Sequence, residues 1–129
     1  MNDHTFVSCG KTDAWWQLVL FHEAVHVRQY QEGRSDPRTL DLTRPPRDDR
    51  EARRFAEQKW CAEMEAHQEE VAFARQIGAE KLLGPLATCA TERAFDLALL
   101  GHLAHFETHP AVRAYFEKRL RWLRRSLPD

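Results

Sequence analysis

Two histidines stand four residues apart, His22 and His26, and Glu23 follows the first of them, in the segment Val19-Leu20-Phe21-His22-Glu23-Ala24-Val25-His26-Val27-Arg28-Gln29. Side chains on an α-helix advance about 100° per residue, so His22 and His26 sit about 40° apart, one turn from each other on one face. Two imidazoles placed this way take adjacent corners of a zinc tetrahedron. Glu23 falls about 100° from His22. It can lean toward a metal-bound water without being a ligand, which is where a general base must stand as that water attacks a carbonyl. The helix is apolar nearly all round, with Trp15, Trp16, Leu18, Val19, Leu20, Phe21, Val25 and Val27. That pattern predicts a buried helix, whose histidines and glutamate are costly unless something pairs them. The competing reading is a pair of hydrogen-bonded core histidines, or a helix half-exposed at an interface.

A zinc site of this kind needs a third protein ligand. In the next helical stretch Glu63 shares an apolar stripe with Ala56, Trp60, Met64, His67, Val71 and Ala74, all within about 100° of it. Glu65 shares its face with Gln58, Glu69 and Gln76, which reads as a solvated surface. Glu63 is therefore the expected ligand and Glu65 the runner-up. His67, one turn after Glu63, either holds a ligand in place or is itself one. The competing reading of Glu63 is a salt bridge with Lys59. A later helix carries His102, His105 and His109 on one side with Phe95, Ala98 and Leu99.

The His22–Gln29 segment resembles the active-site helix of the gluzincin metallopeptidases. It is similar above all to the small ones with an HExxHxxQ-like stretch, such as domains associated with contractile injection systems and bacterial toxins. Glu63-Met64-Glu65-Ala66-His67 resembles the second motif of CAAX-type and ImmA/IrrE-type peptidases, ExEA followed by Asp or Asn. The resemblance covers about residues 12–77. It implies that Glu63 is the third zinc ligand, in agreement with the stripe. Position 67 is His where the pattern has Asp or Asn. It also implies that a histidine from a later helix stabilises the oxyanion of the tetrahedral intermediate, a role that falls to His102 or His105; Tyr30 and Tyr115 are alternative donors. The expectation is a zinc metallopeptidase: Zn2+ held by His22, His26 and Glu63, Glu23 as general base, and a protein or peptide as substrate. A cognate inhibitor or immunity protein is expected if the chain is a toxin. Gluzincins commonly hold an extended peptide on an edge strand, and only residues 4–9 could supply one.

Two other classes compete. Leu100-Gly101-His102-Leu103-Ala104-His105-Phe106-Glu107 resembles three-histidine metal-dependent bundles of the DinB type, which implies a helical metal-binding protein that is not a peptidase. Glu23-Ala24-Val25-His26 is formally the ExxH of a di-iron bundle, but a second ExxH is absent. The remaining reading is a catalytically silent interaction module.

The elements that must position these residues can be read from caps and breakers. A short strand is expected at 4–9. Thr12 or Asp13 caps a helix from about Ala14 to Glu32, with Gly33 closing it. Residues 34–50 hold Pro37, Pro45 and Pro46 and read as a long loop of the kind that forms lids and rims. A second helix is expected over about Asp49–Ile77, closed by Gly78. A short helical piece follows at Ala79–Leu83, ending at Gly84-Pro85, then a helix over Thr88–Glu107. A last helix starts at Pro110, behind Thr108 or His109, and runs to about Ser126. The expected fold is therefore one mostly-α domain over residues 1–129. It is a compact helical zincin-like unit whose active-site helix packs on the Glu63-bearing helix, with little or no β-sheet.

Composition agrees. The chain has 129 residues, 43% hydrophobic and 30% charged, with 19 Lys plus Arg against 20 Asp plus Glu. A net charge of −1 gives no global attraction to nucleic acid or anionic membrane. Three cysteines at wide spacing, Cys9, Cys61 and Cys89, do not describe a disulfide framework or a thiolate zinc site. The polar start Met1-Asn2-Asp3-His4 lacks the order of a signal peptide. No apolar run approaches the roughly 20 residues that span a bilayer. A cytoplasmic protein is expected, with export by a specialised secretion system left open.

Overall fold

The computed structural model describes residues 12–34 and 45–126. The expected strand at 4–9 and most of the expected loop at 34–50 lie outside these residues. The described residues form five α-helices and one 3₁₀ helix, with no strand among them. They are α1 (Asp13–Gln31), α2 (Asp49–Gln76), the 3₁₀ helix (Glu80–Leu83), α3 (Pro85–Thr88), α4 (Glu92–Phe106) and α5 (Pro110–Arg125). The mostly-α expectation is met.

Local chemistry sets the ends. The Thr12 hydroxyl accepts the Trp15 N–H at 3.2 Å and the Asp48 carboxylate accepts the Glu51 N–H at 2.8 Å. Each cap satisfies one of the orphan amides of a first turn. Gly33 and Gly78 follow α1 and α2 at φ 73° and 69°, the left-handed conformation that a residue with a Cβ adopts only under strain. Pro110 opens α5, preceded by His109 in an extended conformation. The expected start of α4 at Thr88 is corrected to Glu92. Cys89 is extended, and the Thr91 hydroxyl caps the helix by accepting the Ala94 N–H at 3.1 Å. The short α3 was not expected.

Helix α2 is the spine. Toward one side it presents Ala52, Phe55 and Ala56 to Leu100 and Ala104 of α4 and to Val112, Phe116 and Leu120 of α5, all buried. A second cluster joins Val71 of α2 to Leu86, Ala87 and Leu99. Phe116, Leu99 and Leu100 are almost wholly enclosed, and each such side chain contributes roughly 1.5–3 kcal/mol.

Helix α1 packs on the same face of α2, further along its length. Its covered stripe is Leu18, His22, Val25, His26 and Gln29, positions i, i+4, i+7, i+8 and i+11 of one helical face. Opposite stand Ala62, Glu63, Ala66, His67, Glu70 and Ala74. Ala66 and Ala74 are fully buried, small enough to let the two helices meet closely. Phe21 stacks on Phe73 with ring centroids 4.4 Å apart. The expectation that α1 is enclosed on all sides is corrected. Leu20, Val27 and Tyr30 are 49%, 55% and 50% exposed, because α2 is the main helix covering α1 among the described residues. Only Leu18 and Val25 of α1 are fully buried apolar side chains, worth on the order of 3–6 kcal/mol together. A buried ionic network has about as much at stake when one of its partners is lost. The polar side chains on the stripe therefore matter as much as the apolar ones in docking α1.

No helix of the described residues is long and apolar enough to cross a membrane. Cys61 and Cys89 are free thiols.

Candidate metal centre

The α1–α2 interface brings His22, His26 and Glu63 together, as the helical phases require. The Glu63 carboxylate is the hub. Its Oε1 lies 2.8 Å from His26 Nε2, and its Oε2 lies 3.1 Å from His22 Nε2 and 3.2 Å from His67 Nε2. The Nε2 atoms of His22 and His26 are 3.0 Å apart. Donor atoms of His22, Glu63 and His67 all fall within 4.8 Å of one another. His26 joins the pair of His22 and Glu63 through Glu63 Oε1 and His22 Nε2, and His67 joins it through Glu63 Oε2. Lys59, the alternative partner of Glu63, instead donates to Glu107 at 2.6 Å.

An outer ring of contacts fixes these side chains. Glu70, buried on α2, reaches His67 Nδ1 with Oε1 at 3.2 Å. Its Oε2 lies 3.2 Å from His22 Nδ1, close but not aligned as a hydrogen bond. His26 Nδ1 hydrogen-bonds Gln29 Oε1 at 2.9 Å. Gln29 in turn donates to the Ala62 carbonyl at 3.0 Å and to Glu65 at 2.9 Å. Glu65 is therefore not a bare solvated group. It also accepts from Arg34 at 2.7 Å, and anchors Gln29 behind His26. Arg34, then Gln29, holds the Glu65 pKa down to about 2.

The electrostatics follow from this packing. Burial pulls the His22 imidazole down, but Glu63 and Glu70 outweigh it and push its pKa up to about 10. Glu63 raises His26 against the opposing effect of burial. His67 is pulled down by burial and raised more strongly by Glu63 and Glu70. Burial pushes Glu63 up, yet hydrogen bonds from His22, His26 and His67 hold it well below the usual carboxylate range. Glu70 is likewise lowered, by His22 and His67, against burial. Buried charge is tolerated here because each group faces an opposite one.

The cluster forms one wall of a cleft of about 500 Å³, which Glu23, Lys59, His102, Phe106 and Glu107 also line. Glu23 is exposed in this cleft, off the His22–His26 stripe, as its 100° offset predicts. The His102 ring stands 5.5 Å from that of His67. Partial burial, then the neighbouring charge of His67, lowers the His102 pKa and favours its neutral form. His105 does not line the cleft; it is exposed and packs edge-on against Phe106 at 4.7 Å. Tyr30 is absent from the cleft lining, and the Tyr115 hydroxyl donates to Glu57 at 3.2 Å.

Two site residues escaped the sequence reading. Glu70 lies seven residues after Glu63, about 20° away in helical phase, so the stripe that selected Glu63 also contained Glu70. Gln29 was visible only as the last position of the HExxHxxQ-like stretch. Compared with protein-family models, with curated proteins and with solved structures, the chain matches none of them.

Proposed function

We propose that the chain is a zinc-dependent metallopeptidase whose ion is held by His22, His26 and Glu63. The observation that carries this reading is the convergence of their donor atoms within about 3 Å of one another at the wall of a cleft that also holds an exposed carboxylate, Glu23. The donor set fits the ion, since two imidazoles and one carboxylate are the protein ligands of many catalytic zinc sites. Zinc bound there supplies Lewis acidity and brings the pKa of a water toward 7. Glu23 accepts the proton of the attacking water and returns it to the leaving amine. His102 donates to the oxygen that gains charge as the carbonyl is attacked. The cleft, bordered by Leu103 and Phe106, receives a peptide side chain.

A second reading, a metal-binding protein without hydrolytic activity, draws on the group of His22, Glu63 and His67, whose donor atoms lie within 4.8 Å of one another. One experiment separates them. Wild type and Glu23→Gln are assayed on a broad peptide panel, with zinc measured on both. The peptidase reading predicts equal zinc and loss of hydrolysis by roughly 10²–10⁴-fold in the variant, the usual contribution of a general base. A fully zinc-loaded wild type that cleaves nothing favours the second reading.

A further inference from the structure

We infer that His67 is a fourth protein ligand of the metal centre, held to it by Glu70. The inference rests on the metal reading above and extends it to a residue outside the assigned ligand set. The two helices contribute matching pairs, His22 and His26 from α1 and Glu63 and His67 from α2, each pair four residues apart and so on one face. Zinc–nitrogen bonds of roughly 2.0–2.1 Å place tetrahedral donors about 3.3 Å apart. His67 Nε2 lies 3.2 Å from Glu63 Oε2, beside the 3.1 Å between His22 and Glu63. The His22 and His67 rings are 4.4 Å apart, centre to centre.

The second observation is the tautomer. Glu70 Oε1 hydrogen-bonds Nδ1 of His67 at 3.2 Å, while its Oε2 lies 3.2 Å from Nδ1 of His22 without the alignment of a hydrogen bond. A carboxylate only accepts hydrogen bonds, so a neutral ring facing it carries its proton on Nδ1 and turns the Nε2 lone pair inward. This carboxylate–histidine pairing is the arrangement that orients metal-ligating imidazoles. Among the histidines of the cluster, His67 is the one whose Nδ1 this carboxylate hydrogen-bonds, and its Nε2 is the atom left to face Glu63.

The test uses the full chain loaded with zinc. X-ray absorption at the zinc edge should count three imidazoles in wild type and two in His67→Ala. Zinc affinity, from competition with a chromophoric chelator, should fall by more than ~100-fold in His67→Ala. Glu70→Gln should keep three imidazoles while losing roughly 10–100-fold in affinity, as expected for an orienting partner. The wild-type count needs no variant and stands even if His67→Ala folds poorly. Two imidazoles in wild type, or an unchanged affinity in folded His67→Ala, overturns the assignment of His67 and leaves the underlying centre intact. An unchanged affinity in Glu70→Gln removes the positioning role. A wild type that binds no zinc removes both readings together.

Discussion

Replacing Glu63 with Gln keeps the size of the side chain and removes the charge at the hub. In the wild type that charge faces His22, His26 and His67 at 3.1, 2.8 and 3.2 Å. Removing one partner of a buried ionic group costs about 3–5 kcal/mol. The Glu63 side chain is 24% exposed, so the lower end, about 3 kcal/mol, is expected for chelator-treated protein near pH 6. In a chain of 129 residues that corresponds to a drop in Tm of roughly 10 °C. Zinc affinity should fall by more than the ~10–100-fold typical of losing an outer partner, because the variant replaces an anionic donor with a neutral amide. Calorimetry with and without zinc reads the first effect and chelator competition the second. A variant that is destabilised but binds zinc as tightly as wild type would show that Glu63 is a structural hub and not a ligand. A variant unchanged in both would refute the cluster itself.

Three further outcomes follow from the same contacts. Glu65→Gln removes the charge that anchors Gln29 behind His26; its zinc affinity should fall by up to about 10-fold, well short of Glu63→Gln, and a larger loss than in Glu63→Gln would reverse the ligand assignment. The pH response of chelator-treated protein should have two edges. Glu63 and Glu70 are lowered from 4.5, so their contribution is present above that value and lost as the pH falls below it; His22 is raised from 6.5 to about 10, so its contribution is complete below 6.5 and lost as the pH climbs toward 10. Stability without metal should therefore be greatest between about pH 4.5 and 6.5. The gain in Tm on adding zinc should grow from pH 6 to 8, because protons on the histidines compete with the ion. A zinc-induced gain that shrinks over that range would contradict a histidine-bound ion.

The helices were legible because their ends carry chemistry that acts locally. Thr12, Asp48, Gly33, Gly78 and Pro110 do at their termini what their side chains or backbones favour in isolation. The start of α4 differs from the expected one because Thr88 ends α3, its hydroxyl turned back to the carbonyls of Gly84 and Pro85, and Thr91 supplies the cap instead. The pairing of His22, His26 and Glu63 was readable from helical phase alone. Glu70 lies on the same stripe and was legible by the same phase, but the run Gln68-Glu69-Glu70 reads as a solvated face when phase is ignored. Glu65 shows the same limit: its face is polar as expected, but Arg34 and Gln29 converge on it from α1 and the turn beyond. The burial of α1 was over-read because an apolar composition states what a helix can cover and says nothing of how many neighbours it has.

The most direct test of a metal centre at the α1–α2 interface is anomalous diffraction at the zinc edge from crystals grown with one equivalent of zinc. A zinc ion held at this interface gives a single anomalous peak at roughly 2.0–2.2 Å from Nε2 of His22, Nε2 of His26 and a carboxylate oxygen of Glu63. A zinc-equilibrated crystal with no peak between these three side chains, or with its only peak elsewhere on the chain, would contradict it.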